Sequence, residues 1–252
     1  MKRIFSILVF SLALWLADGA YAVNTFAPER LNYEVVYEWG MVWKHAANAT
    51  WTISKSGNGY VAQLVGYTRS WADKIYPVRD TLRCTMDANL KPLLYEKFTH
   101  EDKYYARDNV KYSYPLGKTV AKCTRQRPDR ADKPDVNIEL MARAQAYDMV
   151  SVFYMLRNVD YASMKKGDII STIIFSGKEK EYLTVTYRGV ESVKLRDKSK
   201  HEAYCLTFRF TQEGGKKSSE NITVWFSTDS RCVPLKFEGR LAVGAVKCYL
   251  KQ

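Results

Sequence analysis

No Cys-x-x-Cys pair, no Gly-x-Ser-x-Gly elbow and no His-Glu-x-x-His helix occurs in the 252 residues. Their absence removes the usual frameworks of thiol oxidoreductases, zinc ribbons, serine hydrolases and zinc peptidases. Histidine is scarce. His45, His100 and His201 stand apart, with no paired His, Cys or Glu at ligand spacing, so no metal site is expected. "GGKKSS" (214–219) echoes a phosphate loop but lacks its leading glycine at the required spacing. No catalytic residue and no cofactor is assigned.

Long apolar runs are missing beyond the first 22 residues, so no later segment is expected to span a membrane as a helix. At the start, Lys2 and Arg3 precede Ile4–Leu16, which only Ser6 and Ser11 interrupt. That run is too short to span a bilayer, and Ala20-Tyr21-Ala22 offers small residues where a signal peptidase reads. We expect a signal peptide over 1–22, cleavage after Ala22, and a single β-rich domain over 23–252 in the periplasm or outside the cell. No cysteine follows the apolar run, which speaks against a lipid anchor.

The charge is lopsided, at +12, of which Lys2, Arg3 and Asp18 contribute +1. A basic surface can meet nucleic acid, anionic lipid or acidic polysaccharide; export removes nucleic acid from the expected partners. The densest runs, "KCTRQRPDR" (122–130) and "KLRDKSKH" (194–201), carry turn formers and acids and read as solvated loops. Cysteine is odd in number: Cys84, Cys123, Cys205, Cys232 and Cys248. At least one is therefore unpaired or bonds another chain. Cys232 and Cys248 flank a hairpin turn near 238–240 and form the favoured disulfide; the others could equally be buried thiols.

What is present is alternation. Period-two patterns mark strands at 31–39, 45–54, 60–70, 80–86, 93–101, 103–114 and 119–125, and again at 168–176, 181–189, 202–211, 220–228, 232–239 and 241–250. The short connections make neighbours antiparallel. One helical period appears in "YDMVSVFYMLRNV" (147–159), where Met149, Val152, Phe153 and Leu156 recur at i, i+3, i+4 and i+7. Asp148 is placed to cap it and Arg157 to meet its negative end; 134–146 reads as a loop or an extra helical turn. A twisted sheet of about ten strands curls or splits. The expected fold is mainly β: one curved antiparallel sheet, a half-barrel or incomplete barrel, around an amphipathic helix near 147–158.

"VWFSTDSRCVPLKFEG" (224–239) gathers an acid, a hydroxyl, a base and a cysteine. Both flanks alternate as strands, so Thr228-Asp229-Ser230-Arg231 reads as a hairpin turn in which Asp229 bonds its own backbone. Pro234 lacks an N–H and belongs where none is needed.

"YDMVSVFYMLRNVDY", "GDIISTIIF", "VWFSTDSRCVPLKFEGRLAVGAVKCYL" and the opening "ERLNYEVVYEWGMVWKHAANATWTI" together resemble the exported bacterial family known as domain of unknown function 3108. The resemblance runs over roughly 30–250. It implies a periplasmic or secreted β-rich protein, common in the Bacteroides group, with no assigned activity. More loosely, it is similar to the half-barrel lipoprotein carriers of the bacterial envelope. The family often has a second acid after the turn aspartate; here that position is Ser230.

The remaining functional signal is aromatic. Trp39, Trp43, Trp51, Trp71 and Phe153, with Trp225, are the candidate lining of a concave face that would bind acyl chains or stack sugars, or would simply pack a core. The expected function is non-enzymatic binding of a hydrophobic or amphipathic, lipid-like ligand. An interaction module for envelope proteins or glycans is the alternative, and an unrecognised hydrolase the weakest.

Overall fold

The structure, a computed structural model, describes residues 25–130, 132–213, 220–241 and 244–251. The expected signal peptide and the "GGKKSS" turn lie outside the described residues.

A first meander contains β1 (Glu29–Trp39), β2 (Val42–Ser56), β3 (Gly59–Thr68), β4 (Arg79–Met86), β5 (Pro92–Glu101), β6 (Tyr104–Ser113), β7 (Thr119–Gln126) and β8 (Val136–Ala142). A second contains β9 (Ala146–Tyr147), β10 (Ile169–Phe175), β11 (Lys180–Lys194), β12 (Lys200–Gln212), β13 (Ile222–Ser227), β14 (Pro234–Arg240) and β15 (Ala245–Leu250). Two short α-helices interrupt them, α1 (Ser70–Asp73) between β3 and β4 and α2 (Ser151–Leu156) between β9 and β10.

The fifteen strands of the described residues form one sheet, in the order β8 to β1, then β15 down to β9. Every pairing is antiparallel except the short parallel contact of β9 with β10. The meanders meet where β1 pairs with β15, from Tyr33 opposite Leu250 to Glu38 opposite Ala245. Both free edges, β8 and β9, are therefore neighbours along the chain. The sheet is a nearly closed barrel with its seam between them. Thr119 stitches that seam: its hydroxyl donates to the Ala144 carbonyl at 2.9 Å and accepts from the Ala146 amide at 3.1 Å.

The core follows from the alternation. In β6, Ala106, Asp108, Val110 and Tyr112 point inward while Tyr105, Arg107 and Lys111 face solvent. Asp108 is the one charge in that row, and Arg125 of β7 meets it with two hydrogen bonds, at 2.5 and 2.6 Å. Inside the barrel, α2 separates two apolar clusters. Val150 and Tyr154 pack with the first meander, Val152 and Leu156 with the second, and Met149 and Phe153 touch both. The end of strand β10 is likewise covered on both faces, with Phe175 and Ile173 towards the first cluster and Ile174 in the second.

A third cluster lies on the opposite face. Register in β11 slips between Tyr187 and Gly189, leaving Arg188 as an extra residue, and Gly189 takes φ +104°. Such a bulge bends and twists its strand. Beyond it, Val193, Leu195 and Ala203 of the long β11–β12 hairpin pack on Val36, Leu235 and Tyr249.

The structure corrects several expectations. The helix is six residues, not the span 147–158, because Tyr147 is drawn into β9. Residues 136–142 are neither loop nor helical turn but the edge strand β8. Cys232 and Cys248 are both free thiols, as are the other three cysteines. Cys248 lies opposite Phe237 and Val35, whereas Cys232 precedes β14 and reaches no partner position on β15.

Candidate functional site

At the seam the barrel wall is incomplete, because β9 is two residues long and β8 does not pair with it. A cavity of about 980 Å³ opens there. Ile170–Ile173 of β10 and Tyr182–Thr184 of β11 form one wall, Met155, Asn158 and Val159 a second, and the β4–β5 turn a third. That turn is set by Asp87, whose carboxylate accepts from the Asn89 and Lys91 amides at 2.8 and 2.9 Å. It forces Leu90 into the left-handed region at φ +63° and buries its side chain. A β-turn tip would ordinarily expose that residue.

Leu90, Tyr147, Met155, Val159, Ile170, Ile173 and Leu183 make the lining largely apolar. Among the described residues Lys91 is its sole charged side chain, and Asn89, Gln145 and Asn158 add amides. Burial pushes the Tyr147 phenol up to about 12, so it stays neutral. The volume is at the upper end of ordinary small-molecule sites, which run to about 1,000 Å³. An apolar wall with one cation and a few amides suits an aliphatic ligand with a polar or anionic end.

Two buried polar clusters fix α2 beside this cavity. Asp148 is fully buried. One carboxylate oxygen accepts from the Val150 and Ser151 amides at 2.7 and 2.9 Å. The other accepts from the Ser151 hydroxyl and the Cys84 thiol, each at 2.8 Å. The capping of exposed amides expected of Asp148 is thus present, just before the helix proper. Burial raises the Asp148 pKa against these hydrogen bonds. Burial first, and then the Asp148 charge, pushes the Cys84 thiol well up. A protonated, sealed thiol is a poor nucleophile, so the pair acts as a clasp between β4 and α2.

Arg157 makes the second cluster. It is buried, donating to both Glu29 carboxylate oxygens at 2.7 and 3.1 Å and to the Arg231 carbonyl at 3.1 and 3.0 Å. Its guanidinium lies 4.9 Å from the Phe26 ring centre. Rather than serving only the helix end, it ties α2 to β1 and to the turn before β14. In that turn Asp229 accepts from the Ser227 hydroxyl at 2.8 Å and the Arg231 amide at 3.1 Å. Ser227 in turn accepts from the Val233 amide at 2.8 Å. The Pro234 carbonyl receives the Tyr33 hydroxyl at 2.9 Å.

The aromatic candidates do not assemble. Only Trp51 and Phe153 meet, edge to face at 4.9 Å, within a filled core. Trp39 and Trp43 stand exposed at the β1–β2 hairpin end. Trp71, on α1, donates to the His45 carbonyl at 2.8 Å with Lys44 over its ring. Trp225 donates to Glu191 on the outer face. Sequence reasoning passed over the cavity residues; a leucine inside the turn "DANLKP" was the one local sign. Among the described residues no group of three or more His, Cys, Asp or Glu could hold a metal ion, and no helix is long and apolar enough to cross a membrane.

A family model described as "Protein of unknown function (DUF3108)" matches residues 32–251. Among solved structures, a β-barrel-like protein of domain of unknown function DUF1849 from Brucella abortus is similar. It matches with a TM-score of 0.61 at 15% identity, over 90% of this chain and 97% of that one. At that identity the likeness shows the fold alone. No curated protein matches.

Proposed function

We propose that the chain, which belongs to the DUF3108 family of proteins of unknown function, is an exported envelope protein that binds a hydrophobic or amphipathic, lipid-like ligand without transforming it. The observation that carries this reading is the seam cavity, with its apolar walls and single lysine. It differs from the tryptophan-lined concavity expected from the sequence, since the barrel interior there is filled by α2. An apolar cavity is costly to leave solvated, and a ligand's apolar body offsets that cost. Lys91 at the turn supplies a counter-charge for an anionic head. Export rests on the basic, apolar and small-residue succession of residues 1–22. N-terminal sequencing of the protein from cells should begin at Val23; a retained leader would refute export by this route.

The binding test uses a fluorescent fatty-acyl probe. Wild type should take it up, and Val159→Trp, which fills the cavity, should abolish uptake without loss of melting temperature. Uptake unaffected by that substitution would place binding elsewhere; no uptake by either protein would reject the reading. A second reading rests on β8, which ends the sheet with Val136 and Met141 half exposed. An open edge can add a strand from an envelope partner, and a stable hetero-complex lost on Met141→Lys would favour it.

A further inference from the structure

Of the connections that leave the barrel at the end opposite the β4–β5 turn, three carry apolar side chains into solvent. The β1–β2 turn presents Trp39, Met41, Val42 and Trp43; the segment after α1 presents Ile75 and Tyr76. Met41 is 98% exposed and Ile75 76%. Leu241, in the β14–β15 turn, is half exposed beside them.

These tips are held in place. Trp39 pairs with Val42 across the two-residue turn, where Gly40 takes φ +57°. The α1 segment is docked on β2 through the Arg69 amide to the Ala46 carbonyl at 2.8 Å and the Trp71 bond to His45. The β14–β15 turn lies so close to β1 that a Cβ on Gly244 would come 2.2 Å from the Glu38 carbonyl oxygen.

Cations predominate around the tips. Lys44, Arg69, Lys74 and Arg240 are exposed there. Of the nearby acids, Asp73 is gripped by the Arg79 guanidinium at 2.8 and 2.9 Å and Glu38 is paired with Lys247, while Glu101 accepts from the Tyr76 hydroxyl at 3.1 Å and Asp102 follows it in the β5–β6 turn. Protein interfaces are depleted in lysine at their centres. Separate aromatic and aliphatic tips interleaved with lysine and arginine match instead the headgroup layer of a bilayer, where tryptophan and tyrosine settle and cations meet anionic lipid.

We propose that this end of the barrel docks on a lipid bilayer bearing anionic headgroups. Met41, Val42 and Ile75 enter the boundary between headgroups and acyl chains, and the four cations contact the lipid charges. The surface is separate from the seam cavity, so this proposal stands whether or not that cavity holds a ligand.

The test is co-sedimentation of the full chain, as purified from cells, with vesicles of phosphatidylcholine alone or mixed with phosphatidylglycerol. Wild type should bind the mixed vesicles, release them at high salt, and shift its tryptophan emission to shorter wavelength. M41D/I75D alters two side chains that contact little, so its melting should be unchanged while vesicle affinity falls about tenfold or more. K74E/R240E should lose the preference for anionic vesicles. Failure of wild type to sediment, equal binding to neutral vesicles, or full binding by M41D/I75D would overturn the proposal. A dimer in solution that M41D disperses would also overturn it, by assigning the tips to a second copy.

Discussion

Replacing Phe153 by alanine tests whether α2 is core or a movable lid. The ring lies 4.9 Å from Trp51 and 5.7 Å from both Phe208 and Phe237, bridging the clusters of the two meanders. Deleting a buried phenylalanine ring costs about 3–5 kcal/mol. Phe153 is only partly buried, which lowers the figure, while each aromatic contact adds about 0.5–1.5 kcal/mol beyond area burial. We expect a loss of about 3–4 kcal/mol. At about 2–4 °C per kcal/mol for a chain of this size, melting should fall by roughly 6–16 °C. Urea unfolding reads the same quantity, and an unchanged m-value would show that the loss is in the native packing. The cavity wall uses Met155 and Val159 but not Phe153, so affinity for the acyl probe should stay the same. A loss below about 1 kcal/mol together with altered probe uptake would refute this reasoning and make α2 a lid.

Asp148→Asn should flatten part of the pH dependence of stability. The folded pKa lies above the ordinary 3.8 because of burial, so the folded chain holds the proton more tightly and wild type loses stability as pH rises from 3.8 to that raised value. Relative to the variant, the loss should be at most about 1.4 kcal/mol per pH unit; urea melts that stay parallel across this window would refute it. Native protein should resist Ellman's reagent near neutral pH, because burial pushes Cys123 up to about 11 and Cys205, Cys232 and Cys248 up to about 12. After unfolding without reductant, mass spectrometry should count alkylation at all five cysteines, and fewer adducts would reinstate a disulfide. Asp229→Ala should cost about 0.5–2 kcal/mol and leave probe uptake intact; lost uptake with unaltered melting would show that the aspartate serves a ligand.

The strands were legible because their alternation is a local property of the pleat. Thus "NITVWFS" shows its inward Val224 and Phe226 without any knowledge of their neighbours. What escaped was whatever depends on distant partners. "VNIELMA" (136–142) alternates and packs Ile138, Leu140 and Ala142 on the first cluster, but it is short and its Glu139, Leu140 and Met141 are good helix formers, so the pattern alone does not separate strand from helix. The apolar stripe from Met149 to Leu156 exists, yet β10 captures Tyr147 and cuts the helix short. No spacing could reveal that β1 pairs with β15. The cavity was hidden for the same reason, since the β4–β5 turn, the stretch following α2, and β10 with β11 meet only once the barrel has rolled up. The tryptophans misled because a large aromatic ring is equally at home in a core, on a hairpin tip or against a lysine.

The pairing of β1 with β15 also dictates an order of events. Each meander can assemble by adding hairpins to its own growing edge, with contacts between near neighbours in sequence. The link between them is made by the final strand, Ala245–Leu250, laid against one of the first. Until those last residues are free to pair, β1 carries an unsatisfied edge and the inner clusters cannot close around α2. Joining ends so far apart carries a large loop-closure entropy and marks a slow, late step of folding. A ribosome or a translocation pore still holding the residues of β15 would keep the barrel open along that line, however well the rest had formed.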